Sequence, residues 1–94
     1  MKITEIIWLD EVREKIKYKH RCLPSEVEEV FTSKPKIKKM QKGYFCGEHV
    51  YRISGQTKAG RYLTVFFIHR STKRALILSA RDMDEKERKS YAKK

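Results

Sequence analysis

The chain has 94 residues, of which 23 are lysine or arginine and 12 are aspartate or glutamate. This length suits one domain with a modest core and excludes two independently folding domains. Seventeen of the cations but only five of the acids lie in residues 34–94, so the positive charge is regional. A positive electrostatic potential of this kind favours a polyanion partner, for which RNA, DNA, an anionic membrane and an acidic protein are candidates. The alternative is a solvated basic surface without a partner.

Targeting and cofactor signals are not evident in the sequence. The apolar runs are shorter than the roughly 20 residues that a membrane span requires, and the first residues lack the apolar core of a signal peptide. We therefore expect a cytoplasmic protein with no membrane partner. Cys22 and Cys46 form neither a paired nor a clustered pattern, so we assign them to packing and expect no metal and no cofactor.

The first predicted elements are a short edge strand or extended lead-in over residues 3–9 and a helix that follows it directly. Asp10 is the expected N-cap, and the helix should run from Glu11 to His20. Apolar side chains recur along it at a helical period, which predicts one buried stripe. The stripe consists of Leu9, Val12 and Ile16.

A second helix is predicted to begin at Pro24 and to end at Lys34-Pro35, because a proline disfavours helix at the residue before it. Ser25 and Glu28 have the spacing of a capping box. The short connection between the two helices predicts a helical hairpin that lies on a sheet. The buried side of the second helix is predicted to be Val27, Val30 and Phe31.

Four antiparallel strands are predicted next. The third of them is apolar on both faces, which is typical of a strand that is buried on both sides. Lysines on the first strand suit an edge that avoids pairing with other chains, which is the alternative to a role in binding. The strands are predicted at Lys36–Lys42, Glu48–Ser54, Arg61–Arg70 and Arg74–Ala80, with a turn over Gly43–Gly47.

A polar helix is predicted to close the chain. Asp84 and Glu87 have the spacing of a capping box in which Asp84 is the cap. The expected fold is therefore α+β, with two N-terminal helices, a four-stranded antiparallel sheet and a C-terminal helix. These elements should form one domain over residues 1–94.

The sequence contains no zinc signature, phosphate loop or nucleophile elbow. A scatter of ionisable side chains on a basic chain remains, and it is compatible with metal-free RNA cleavage. In that reaction a base takes the proton of a 2′-hydroxyl, an acid protonates the leaving 5′-oxygen, and cations hold the phosphate. Ordinary surface or core roles are the alternative for each of these side chains. They are His20, Glu48, His49, Arg52, His69, Arg81 and Tyr91.

Two pairs within this scatter have a specific chemical interpretation. Glu48 and Arg52 occupy alternate positions of one strand and share a face, where Arg52 could bind phosphate and Glu48 could orient it or act as base; an ordinary ion pair is the alternative. Arg81 ends an apolar strand and could grip two phosphate oxygens, with His20 as acid or base. Alternatively, Arg81 ties the last helix through Glu87 or Tyr91, and His20 is a helix-end cation.

Nearly the whole chain resembles one known family. The segments that carry the resemblance are Trp8-Leu9-Asp10, Lys19-His20, Pro24–Phe31, Glu48 with Arg52, Ala59–Leu63, Leu76–Arg81, Glu87-Arg88 and Tyr91. Together they resemble the BrnT-type toxins, which are small ribonucleases of type II toxin–antitoxin systems with a RelE-like fold. This chain has Arg21 where that family usually has glycine, and basic residues 34–42 where it usually has an acidic loop.

The resemblance implies a toxin that cleaves RNA through the 2′-hydroxyl without a metal and is neutralised by a cognate antitoxin protein. Two alternatives remain open: a non-catalytic RNA- or protein-binding module on the same fold, and a toxin that acts on a protein such as gyrase. The candidate catalytic residues are His20, Glu48, Arg52, Arg81 and Tyr91. The candidate RNA-binding residues are Lys19, Lys38, Lys39, Arg61 and Arg74.

Overall fold

The computed structural model describes residues 3–33, 36–45, 48–70 and 73–92, with side chains except at 39–45 and 48. Predictions that concern Lys34-Pro35, Cys46 and Gly47 lie outside these residues. The elements follow one another in the order β1 (Glu5–Ile7), α1 (Asp10–His20), α2 (Pro24–Thr32), β2 (Lys36–Phe45), β3 (Glu48–Gln56), β4 (Tyr62–Arg70), β5 (Arg74–Asp82) and α3 (Glu85–Ala92).

The strands form one mixed sheet in the order β1-β5-β4-β3-β2. Strands β2 to β5 are antiparallel neighbours, as predicted. Strand β1 adds a fifth member, which pairs in parallel with β5 through Glu5 and Arg74 and through Ile7 and Leu76. The α+β class is confirmed, but the sheet is mixed and has five strands rather than four antiparallel ones. Residues 3–9 were predicted as a short edge strand or an extended lead-in, and pairing with the free edge of β5 makes residues 5–7 a strand.

Helices α1 and α2 cover one face of the sheet, as predicted. Ile16 from α1 and Val27 from α2 are fully buried, and Phe31 lies edge-on to Phe67 with the ring centres 5.3 Å apart. Burial of an aliphatic side chain of this size contributes about 1.5–3 kcal/mol. Leu9, in contrast, is 49% exposed, so it does not belong to the buried stripe. The sheet side of this core consists of Ile53, Leu63, Val65, Phe67, Ala75, Ile77 and Ala80.

The predicted start of α1 and the predicted capping box of α2 are each shifted, whereas α2 begins at Pro24 as predicted. Asp10 is the first helical residue rather than the N-cap, because the backbone is still extended at Leu9, and its carboxylate lies 3.4 Å from Arg13. In α2 the residue before the helix is Leu23, whose N–H donates to Glu26 at 3.0 Å. Glu26, three residues after Leu23, therefore has the capping role that was predicted for Glu28.

The opposite face of the sheet carries a smaller apolar cluster and α3. Val50, Ile68 and Leu76 form this cluster, so β4 is buried on both sides, as predicted. The predicted capping box of α3 is confirmed: Glu87 N–H donates to Asp84 Oδ1 at 2.8 Å, and Asp84 N–H donates to Glu87 Oε1 at 2.9 Å. Because this reciprocal pair sets where α3 begins, it also determines where Glu87 points.

Helix α1 ends at a residue with left-handed backbone geometry. Arg21 has φ 52° and ψ 37°, a region that favours glycine because a Cβ atom crowds the following carbonyl. The Arg21 side chain is exposed, while its carbonyl accepts a hydrogen bond from Arg61 Nη1 at 2.6 Å. The backbone of Arg21 is thus held in place despite the strain.

We expect Arg21→Gly to raise the free energy of unfolding by about 0.5–1 kcal/mol, because relief of left-handed strain outweighs the extra freedom of glycine in the unfolded chain. Denaturant unfolding measures this change. Arg21→Ala is the matched control, since it removes the guanidinium but keeps the Cβ atom and the strain. Equal stabilisation in both variants would show that loss of charge, rather than backbone geometry, is responsible.

Candidate functional site

Two arginines converge on one buried carboxylate. Glu87 is 8% exposed, and its Oε1 and Oε2 accept hydrogen bonds from Arg81 Nη1 at 2.7 Å and Arg81 Nη2 at 3.0 Å. Arg52 Nη1 lies 3.5 Å from the same Oε2. Arg81 and Arg52, both predicted catalytic residues, are therefore brought together by Glu87, which the sequence had indicated only as a capping residue and a possible tie for Arg81.

The sheet explains why these three side chains meet. Arg52 on β3 is the register partner of Phe66 on β4, and Arg81 on β5 is the partner of Thr64. Register partners share a face, so both arginines lie on the α3 side of the sheet. The Arg81 guanidinium lies over the Phe66 ring at 5.5 Å from its centre, which favours the cation further.

The arginines keep Glu87 ionised. Burial alone raises the pKa of the Glu87 carboxyl, but hydrogen bonds from Arg81 and from Asp84 N–H, with the charges of Arg81 and Arg52, bring it below its ordinary value. The pKa of Arg81 is raised, chiefly by its hydrogen bond to Glu87. A carboxylate with these partners is a weak base, so Glu87 is better suited to holding the arginines than to accepting a proton.

A cavity of about 230 Å³ opens beside Glu87, and we call it the Arg52 cavity. It brings together three predicted residues, Arg52, Lys38 and Tyr91. Lys36, which was not predicted, donates to the carbonyl of Ser90 at 2.9 Å and lies over the Tyr91 ring at 5.8 Å from its centre. The lining consists of Lys36, Ile37, Lys38, Arg52, Ser54, Glu87, Ser90 and Tyr91.

A second, more open cavity of about 360 Å³ lies at the end of α1, and we call it the His20 cavity. It brings together four residues of the predicted set: Lys19, His20, Arg61 and Arg81. Because Arg81 lines this cavity and Glu87 lines the other, the Arg81–Glu87 pair stands between the two. Four of the five predicted catalytic residues are therefore divided between neighbouring cavities, two in each. The lining consists of Lys19, His20, Arg21, Arg61, Arg81 and Asp82.

Arg61, a predicted RNA-binding residue, uses all five of its N–H donors within the protein. Two bonds go to Asp82, from Nε at 2.7 Å and from Nη2 at 3.2 Å. Nη2 also donates to the His20 carbonyl at 2.9 Å. Nη1 donates to the Arg21 carbonyl at 2.6 Å and to Glu26 at 3.2 Å. The hydrogen bond from Arg61 lowers the pKa of the Asp82 carboxyl. Arg61 thereby joins the end of α1 to α2 and β5. It lines the His20 cavity, but its guanidinium is already engaged by groups of the protein.

The remaining predicted residues lie apart or are placed only by their backbone. Arg74 lies 3.6 Å from Glu5 and begins β5, so it is about 23 Å along the strand from Arg81. In the backbone register Glu48 pairs with Phe45 and Lys39 with Tyr51. The side chains of Glu48 and Lys39 lie outside the described part of the structure, so whether Glu48 faces Arg52 stays a prediction.

Three further findings bear on function. In the described residues no three His, Cys, Asp or Glu side chains are grouped so that they could hold a metal ion. No helix described here is both long enough and apolar enough to cross a membrane. Neither the known protein-family models nor the curated proteins include a significant match to this chain.

We expect Arg61→Lys to lower the free energy of unfolding by about 1–3 kcal/mol, because lysine has three donors and no planar fork with which to hold Asp82, Glu26 and the end of α1 together. Thermal and denaturant unfolding measure the loss. Arg74→Lys is the control, since Arg74 is half-exposed and contacts only Glu5 at 3.6 Å among the contacts described. Similar losses in the two variants would contradict a special role for Arg61.

The pKa shift of Glu87 predicts a pH-dependent stability. Because its folded-state pKa lies below the ordinary value of 4.5, the stabilisation is complete above that pH and is lost as the pH falls through the lowered value. The difference in melting temperature between the wild type and Glu87→Gln should therefore be constant from about pH 7 to pH 5 and shrink below about pH 4.5. Glu85→Gln, an exposed position on the same helix, should show little difference at any pH. A difference in melting temperature between the wild type and Glu87→Gln that persists into strong acid would contradict the ionic role of Glu87.

Proposed function

We propose that this protein is a ribonuclease toxin of the BrnT type with a RelE-like fold, which acts on RNA in the cytoplasm and is neutralised by a cognate antitoxin. One observation carries the proposal. The two cavities, joined through the Arg81–Glu87 pair, gather cations and proton-exchanging side chains of a basic protein. Cations hold phosphates, and an imidazole or a phenol exchanges protons, as RNA cleavage requires.

In the proposed reaction Arg81 and Arg52 bind the phosphate, and their charge stabilises the additional negative charge of the transition state. His20, which shares a cavity with Arg81, takes the proton of the 2′-hydroxyl or supplies one to the 5′-oxygen. The 2′-oxygen forms a bond to phosphorus as the bond to the 5′-oxygen breaks, and in this proposal the arginines rather than a metal stabilise the charge. While α3 is docked, Tyr91 lies in the Arg52 cavity as a second group that can donate a proton.

The geometry of Arg21 supports the resemblance on which this proposal draws. The BrnT-type pattern usually has glycine after Lys-His, and Arg21 occupies that position with φ 52°. A left-handed residue at the end of a helix is most often glycine. The same backbone turn is therefore compatible with the family pattern, although the residue differs.

A non-catalytic RNA-binding module is the second candidate, and a specific observation favours it. Glu87 engages both arginines, while His20 lies in one cavity and Tyr91 in the other. A surface with this arrangement can hold phosphates without aligning an acid and a base on one scissile bond. In this case the same residues bind RNA and leave it intact.

The test is to incubate purified protein with single-stranded RNA in the presence of a chelator and to measure binding and cleavage separately. We expect binding that weakens with salt, with a slope of about −0.7 in log K against log salt for each phosphate neutralised, and cleavage that survives the chelator. Arg81→Lys should lose most of the cleavage and keep much of the affinity, because the charge remains and the bidentate grip is lost. Its melting temperature should also fall, since it no longer holds Glu87 in a fork.

Arg13→Lys is the control, because Arg13 is exposed on α1 away from both cavities. Cleavage by Arg81→Lys at the wild-type rate would remove Arg81 from the site. Wild-type protein that binds RNA without cleaving it would favour the second candidate, and an absence of RNA binding at low salt would refute both.

A further inference from the structure

Helix α3 is attached to the sheet by charged and aromatic contacts rather than by apolar burial. Within α3, which is described over its whole length, Glu87 is the buried residue. The Arg88 guanidinium lies 4.6 Å from the centre of the Tyr62 ring, and the ring of Tyr91 meets Tyr62 edge-on at 6.0 Å. Because little apolar surface holds α3 in place, its release exposes little to water.

The carboxylate of Glu87 takes the place that a phosphate would take. Two parallel hydrogen bonds from Arg81 and a contact from Arg52 match the way in which guanidinium groups hold two phosphate oxygens. An RNA phosphate that is to bind both arginines must therefore compete with Glu87. In the structure the anion-binding donors are already occupied by a group from the protein itself.

Arg52 shows that this occupation is incomplete. Its Nε is buried and has no hydrogen-bond partner in the described structure, although a buried donor without an acceptor is costly. The contact recorded between Arg52 and Glu87 joins Nη1 to Oε2 at 3.5 Å, which is long for a hydrogen bond. A phosphate offers more acceptor oxygens than a carboxylate, so it has acceptors to spare for the donors that Glu87 leaves unsatisfied.

We propose that α3 is a displaceable strap: a phosphate of a polyanion replaces Glu87 on Arg81 and Arg52, and α3 leaves the sheet as it binds. The inference rests on the proposed function, since it concerns the same arginines. Because Tyr91 leaves the sheet with α3, His20 is the proton-exchanging group that stays beside the bound phosphate. Eight residues are too few for a stable isolated helix in water, so the released segment unwinds. The reciprocal Asp84–Glu87 cap is lost in the same step, which makes release cooperative.

The experiment compares Glu87→Gln with Glu85→Gln. Both variants remove one negative charge from α3, but only Glu87 contacts the arginines. We measure affinity for single-stranded RNA and amide hydrogen exchange over residues 85–92, the latter with and without inorganic pyrophosphate and with sodium chloride at matched ionic strength. Glu87→Gln should bind RNA about fivefold or more tightly than Glu85→Gln, because the competing carboxylate is gone.

Hydrogen exchange gives a readout that does not depend on RNA. In the wild type, pyrophosphate should speed exchange over residues 85–92 while matched sodium chloride does so much less. In Glu87→Gln the exchange should already be fast without pyrophosphate. Should Glu87→Gln fail to fold, Asp84→Ala provides the same comparison, because it removes the cap from Glu87 N–H without touching the arginines.

Each outcome decides between the two proposals. Equal RNA affinities for Glu87→Gln and Glu85→Gln, with α3 exchange unaffected by pyrophosphate, would overturn the strap, and wild-type RNA cleavage would still support the ribonuclease. If neither the wild type nor any variant binds RNA, the proposed function fails. The effect of pyrophosphate on amide exchange over residues 85–92 then decides by itself whether α3 is displaced by an anion. Loss of cleavage in Glu87→Gln with unchanged affinity and unchanged α3 exchange would overturn the strap and place Glu87 in the chemical step.

Discussion

A carboxylate held by two arginines on the sheet is the interaction on which the candidate site depends. Glu87 is 8% exposed, and a charge buried to that extent is strongly unfavourable unless it is paired. Arg81 satisfies both carboxylate oxygens, Arg52 approaches one of them, and Asp84 N–H adds a third donor. These contacts dock α3, and the docked helix closes one side of the Arg52 cavity. The same contacts explain why a mainly polar helix lies on the sheet at all.

A second ionic network holds the other half of the site. Arg61 binds the last carbonyls of α1 and the carboxylates of Glu26 and Asp82, so it joins two helices to the end of β5. His20 and Arg81 line one cavity because this network brings the end of α1 next to the end of β5. The hydrogen bonds of Arg61 show that an arginine in a basic protein can have a structural role.

The sequence indicated several of these features correctly because their causes are local. Capping of α3 by Asp84 and Glu87 depends on a spacing of three residues, and the two-sided burial of β4 depends on an unbroken apolar run. Errors arose where a neighbour in space decided the outcome. Whether residues 5–7 form a strand or an extended lead-in depends on the edge of β5. The start of α1 at Asp10 and the capping of α2 depend on backbone geometry at Leu9 and Leu23 rather than on the best capping side chain.

By itself, the sequence determined the α+β class, the two helices on one face, the antiparallel order of β2 to β5 and the regional positive charge, since periodicity and composition act through near neighbours. The tertiary structure decided which cations are committed to the protein. Arg52, Arg61 and Arg81 look alike in the chain, but each finds its carboxylate from another element: Glu87 lies 35 residues from Arg52, and Asp82 lies 21 from Arg61. An ion pair between residues so far apart in sequence depends on how the sheet and helices pack. Local sequence patterns do not predict that packing.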